Sequence, residues 1–215
     1  IFLRANLADA NLSRAKLQTA EAHASNLCHA NLSEAILREV DLCLADLSGA
    51  NLRQADLWQA DLSYATLHKA DFGSANLSFA MMHGASLLDA NLSGATLYGA
   101  CLTGATLCNA NLRETRLTSA NLSGADLHRA NLTGADIKHA LLDTCCLVGA
   151  RGILRISPIG LTRGTLYVVA HPKGRMYELG PFWGTEKELL ASLEPDDPNR
   201  AVYKRAIALA HSALP

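Results

Sequence analysis

Apolar and polar positions alternate over the first 150 residues in a strict period of five. From residue 5 onward every fifth position is small. Of these thirty positions twenty-six are alanine, the exceptions being Ser25, Val40, Thr115 and Cys145. The residue two places further on is leucine in twenty-five of thirty units, the exceptions being Phe2, Ala22, Phe72, Met82 and Ile137. A period of five fits neither a helix nor a flat strand, so the chain has to turn at fixed intervals. If each unit forms one side of a polygonal coil, the leucine and the small residue both point inward and three positions face water. The inward alanine is then obligatory, because a larger side chain would collide with its counterparts across a narrow axis. Identical units that must stack are the logic of a solenoid.

Written as [Asn/Asp]-Leu-x-x-Ala, the unit resembles that of the pentapeptide-repeat proteins. The resemblance implies an all-β solenoid, a right-handed quadrilateral β-helix with four units per coil, and hence about 7.5 coils over residues 1–150. At a strand spacing of about 4.8 Å the rod would be about 36 Å long. Leucine burial alone does not offset the ordering of so long a chain, so backbone ladders between coils must supply much of the remainder. Folding the sequence at this period sorts it into columns. One outward column reads Asn11, Asn31, Asn51, Asp71, Asn91, Asn111 and Asn131, a ladder of amides. Seventeen of the thirty positions before the central residue are Asn or Asp. This prevalence marks a corner requirement of the fold, in which Asx side chains bond nearby backbone, rather than a ligand site. Ala22, the one alanine at a central position, is expected to leave a void or a pinched second coil.

After Ala150 the rhythm stops, and all six prolines lie beyond it. Thr165 to His171 and Met176 to Leu179 read as the strands of a hairpin across a Pro172-Lys173-Gly174 turn. Thr185 opens a helix with a capping box closed by Glu188. Asp197-Pro198 starts a second helix, with an apolar stripe of Val202, Ala206, Leu209, Ala210 and Ala213. Residues 151–215 thus form a small α/β (ββαα) unit whose simplest role is to cap the last coil. The stretch from Gly180 to Leu189 is similar to tails that follow the repeats in some bacterial and phage-associated proteins, which implies a prophage or virion context.

Charge changes this picture little. The repeat tract carries fourteen acidic and ten basic residues, and the tail six and nine. Such balance opposes a basic nucleic-acid surface, so no direct nucleic-acid binding is expected. No apolar run approaches a membrane span and no secretory pattern opens the chain, which reads as cytoplasmic in a bacterium, or as part of a virion if phage-encoded. Because Ile1 is already in repeat register, further chain or another subunit is expected to cover the first coil. The six cysteines lack zinc spacing, and Cys28 and Cys108 stand four coils apart in one column, so free thiols are expected. The histidines are scattered over outward positions. No catalytic residue, cofactor or metal site is expected.

Function on such a rod belongs where outward residues break the bland pattern. Trp58 and Tyr98 share an outward column, Phe79 lies at the following corner with Met81 just past it, and Tyr64 occupies the next corner. These five are the candidate partner-binding residues, although Trp58 and Tyr98 would also serve to shield backbone ladders. The expected function is a non-enzymatic, rigid protein–protein interaction or assembly scaffold, binding a partner or itself through this aromatic patch or a solenoid end. The resemblance supplies an alternative, since the family includes gyrase-protecting factors that mimic DNA with acidic surfaces. Asp41 and Asp61, adjacent in one column, would serve that role, but their column continues as Met81, Cys101, Asn121 and Leu141.

Overall fold

The computed structural model describes residues 1–159, 164–171, 174–179, 182–193, 197 and 200–214. The first 151 residues wind as a right-handed quadrilateral β-helix. Each residue preceding a central position bridges its equivalent twenty residues later in parallel register, from Asn6↔Asn26 to Asn131↔Arg151. The faces of the square are named here by their central residues: face I by Leu7 and Leu27, face II by Leu12, face III by Leu17 and face IV by Phe2 and Ala22. Almost every central residue and small residue from the second coil onward is buried.

One unit, Asp56 to Ala60, shows how the backbone is satisfied. Asp56 N–H donates to Ala35 O in the coil before, while Leu57 and Gln59 donate to Asn76 O and Ser78 O in the coil after. Ala60 N–H closes the turn on Leu57 O. The remaining amide, that of Trp58, is taken by the Asp56 carboxylate at 3.3 Å. All seventeen Asn and Asp residues at this position make the equivalent bond to the amide two residues on. The Asx preference is therefore the fifth donor's acceptor, and the unit leaves no amide orphaned.

Each corner turns through a left-handed residue. Non-glycine residues at this position, two past the central one, have φ between 52° and 60°, a conformation disfavoured by about 1 kcal/mol or more for an L-residue. Eight of the nine glycines in the repeat tract stand here. That concentration was a readable signal in the sequence for where the chain turns.

The expected void at Ala22 is present. An apolar hollow of about 20 Å³ is lined by Ala22 with Phe2, Leu27 and Leu42 among others. It has the room of about one water and no polar partner for it, so it stays dry.

Beyond the last coil the chain forms a four-stranded antiparallel sheet in sequential order: β1 (Ile153–Ile159), β2 (Gly164–His171), β3 (Gly174–Leu179) and β4 (Phe182–Thr185). The expected hairpin is β2–β3, with His171 opposite Gly174; Pro172 and Lys173 of its turn lie outside the described residues. Two further strands flank it. Helix α1 (Glu186–Ser192) begins at the capping box of Thr185 and Glu188, and α2 spans Arg200–Ala213.

Alternation splits the sheet between two cores. Tyr167, Val169 and Trp183 face the solenoid, together with Ile153, whereas Leu166, Val168, Tyr177 and Phe182 face the helices. The stripe expected on α2 is corrected by a rotation of its face. Tyr203, Ala206, Ile207 and Ala210 are buried, while Val202, Leu209 and Ala213 are exposed. The large Tyr203 and Ile207 fill the groove over the sheet, and that spacing of three and four residues serves equally well.

The tail supplies partners that another coil would otherwise provide. Gly134 N–H donates to Ala170 O, and His139 N–H donates to Glu178 Oε1 at 2.7 Å. Tyr167 Oη donates to Leu142 O.

Candidate interaction surface

The outward aromatic residues gather at two corners of face IV. Phe79 and Tyr98 meet edge to face, with centroids 5.3 Å apart, at the corner between faces III and IV. Tyr64 meets His83 in the same manner at 5.2 Å on the opposite edge. Three outward rings at coil corners each meet a glycine one coil later. A Cβ on Gly84 would lie 2.8 Å from the Tyr64 ring, one on Gly99 2.8 Å from Phe79, and one on Gly49 2.4 Å from His29. The edges of these rings occupy the space that the glycines leave, and the rings still remain 55% and 46% exposed for Tyr64 and Phe79. Met81 and Tyr98 are similarly exposed. Trp58 is only half-buried, two coils from Tyr98 in the same column. The structure thus brings Phe79 and Tyr98 into contact, places Met81 on the adjoining face, and sets Tyr64 across that face with a histidine not anticipated as its partner.

Asp41 and Asp61 stand in register on face IV, continuous with Glu21 above and Met81 below. Each spends one carboxylate oxygen on its own turn, accepting from Cys43 N–H and Ser63 N–H respectively. His23 Nδ1 lies 3.8 Å from Asp41. Face IV therefore carries a column of three carboxylates that gives way to an apolar and aromatic zone.

Cross-coil pairs hold three of the arginines. Arg14 reaches Glu34, Arg38 reaches Asp56 and Arg53 reaches Asp71; such exposed pairs contribute about 0 to 1 kcal/mol each. Cys108 Sγ donates to Asp126 Oδ2 at 3.1 Å. Burial, followed by that carboxylate, pushes its thiol up to about 11. A thiol so held stays protonated at neutral pH and acts as a hydrogen-bond donor. Among the described residues no disulfide joins Cys28, Cys43, Cys101, Cys108 or Cys146. Among the described residues no group of three His, Cys, Asp or Glu side chains is arranged to hold a metal ion, and no helix is long and apolar enough to cross a membrane.

The buried carboxyl of Glu178 was not anticipated. It faces the last coil from β3, and among the described residues its Oε2 has no hydrogen-bond partner. Burial raises its pKa to about 8, with Asp136 adding to the rise and the His139 amide opposing it.

A right-handed square coil with an inward leucine and alanine on every side, and an Asx-closed turn at most of its corners, defines a pentapeptide-repeat β-helix. The family model for pentapeptide repeats matches residues 5–42, 44–78, 70–109 and 110–149 in eight copies, and the chain belongs to that family. Among solved structures it is similar to HetL, a pentapeptide repeat protein involved in heterocyst differentiation regulation from the cyanobacterium Nostoc. That identity is 33% over 68% of this chain and 82% of HetL, with a TM-score of 0.27. Rfr23 of the cyanobacterium Cyanothece is 42% identical over 45% of this chain and 63% of that one, with a TM-score of 0.34. QnrB1, a plasmid-mediated fluoroquinolone resistance protein, is 20% identical over 67% and 81%, with a TM-score of 0.32. No curated protein matches the chain.

Proposed function

We propose that the protein is a non-enzymatic, rigid interaction element that binds a protein partner through face IV and its corners. The observation that carries this reading is the clustering of Tyr64, Phe79, Met81 and Tyr98, all about half exposed, in successive coils of one face and its two corners. Rings held on bare backbone lose little conformational freedom when covered, which suits them as anchors. The carboxylates of Glu21, Asp41 and Asp61 on the same face favour a partner with an apolar contact zone flanked by basic residues. The described residues of the tail pack on the last coil through Ile153, Tyr167, Val169 and Trp183 and leave the sides of the solenoid available. A bacterial cytoplasmic or virion assembly is the setting we favour, on the resemblance of the tail.

Phe79→Ser with Tyr98→Ser should abolish capture of the partner by the immobilised protein while the melting of the coils is unchanged, since neither side chain is in the core. Unchanged affinity in this variant would remove the patch assignment.

The second reading, a DNA mimic directed at gyrase, is favoured by the carboxylate column alone. It predicts inhibition or protection in a supercoiling assay, with loss on Asp41→Asn and Asp61→Asn. An inert result at micromolar protein would remove it.

A further inference from the structure

Near the last coils, the corner between faces I and II holds arginines without the partners found elsewhere on the rod. Arg14, Arg38 and Arg53 each reach a carboxylate in the following coil. Arg113 occupies the column of Arg53 three coils later, but the place of Asp71 is there taken by Asn131. The acceptor keeps its shape and loses its charge.

Beside it a groove of about 480 Å³ is lined by Asn109, Asn111, Arg129, Asn131, Gly149 and Arg151. No carboxylate lines it. Among the described residues the guanidinium groups of Arg129 and Arg151 form no ion pair or hydrogen bond. Gly149 accounts for the course of Arg129: a Cβ there would lie 3.2 Å from Arg129 Cγ, so the bare corner lets the side chain run towards the coil of Arg151.

Asn131 adds a third donor. In the same column the amides of Asn31, Asn51, Asn91 and Asn111 each donate Nδ2 to the coil before. The ladder stops there, and among the described residues Asn131 Nδ2 donates to no one, while its Oδ1 accepts from Thr133. The neighbouring carboxylates are otherwise placed. Asp89 accepts from Asn109, Asp126 from Cys108, and Glu114 lines a separate cavity with Arg113.

We propose that this groove is an anion site for a phosphate monoester, held between the Arg129 and Arg151 guanidinium groups with the Asn131 amide as a third donor. Two planar forks match the geometry and charge of a dianionic tetrahedral group. A phosphodiester, with one charge per phosphate, satisfies them less well.

Calorimetric titration of the full chain with inorganic phosphate and with O-phosphoserine, at constant ionic strength, tests the site. Saturable binding is expected, weakened roughly tenfold or more by Arg129→Gln and by Arg151→Gln. Asn131→Asp should abolish it while leaving the coil intact, because Asp71 makes the same turn bond in the same column. Arg116→Gln, on face III, should change nothing. Absence of saturable binding, or binding indifferent to the two arginine variants and to Asn131→Asp, would overturn the proposal. Preference for a single-stranded oligonucleotide over both monoesters would overturn the ligand class.

Discussion

A side-chain oxygen closing on the amide two residues ahead is a small interaction, and repetition makes it decisive. At seventeen positions it removes the one donor that the coil-to-coil ladders cannot reach, and an unsatisfied buried amide would cost about 1 to 3 kcal/mol. The sequence makes this preference visible because it recurs in register. It does not show which Asx carboxylate also accepts from a neighbouring coil, since that partner lies eighteen residues away and belongs to no repeat motif. Cys108 is such a case. It should alkylate about a hundredfold more slowly than an ordinary thiol at neutral pH, in line with a thiol held near 11. Asp126→Asn, which keeps the turn bond and removes the charge, should bring the Cys108 titration down and speed its alkylation, as followed by mass spectrometry.

The elements divide sharply in how far sequence alone defines them. The coils were legible because a period of five excludes a helix and a flat strand, and the resemblance to pentapeptide repeats supplied their hand and their four sides. Of the tail, the β2–β3 hairpin and the Thr185 cap were legible from local chemistry. Strands β1 and β4 and the buried face of α2 were not, because pairing and packing across distant segments determine them. Glu178 lies in that second category, since alternation on β3 places it against a coil the sequence does not show beside it. Between the ordinary carboxyl value of 4.5 and its folded value of about 8, the folded protein retains a proton that the unfolded chain has released. Docking of the tail should therefore weaken as pH rises through this window, by about 1.4 kcal/mol per pH unit at most, and level off above it. Glu178→Gln, which keeps the acceptor for His139 N–H, should flatten the profile in amide exchange of β2 and β3. Gly152 marks the departure from the coil, with φ of 76° and no room for a Cβ, which would lie 2.4 Å from Thr133 N. Gly152→Ala should cost about 1 kcal/mol or more from the left-handed backbone alone, measured by denaturant melting.

At the scale of the whole molecule, stability is a sum over neighbouring coils, and the second coil is the weak contact. Its hollow at Ala22 breaks an otherwise continuous column of large side chains. Ala22→Leu should stabilise the protein by roughly 0.5 to 2 kcal/mol, read as a higher denaturation midpoint. The candidate binding surface was only partly legible at this scale. Its aromatic members stand out by type and column, but the glycines that expose them belong to the next coil, and their role emerges only when coils are stacked.

The equivalence of the five-residue sides also constrains how such a gene can change length. Inserting one unit ahead of Tyr64 would rotate everything downstream by a quarter turn, carrying the aromatic patch away from the carboxylate column upstream. Inserting a full coil would keep both on one face and only move them about 4.8 Å apart. Lineages that preserve a two-point contact on this face should therefore gain and lose sequence between those points in whole coils, with the intervening count acting as a gauge of the partner's span.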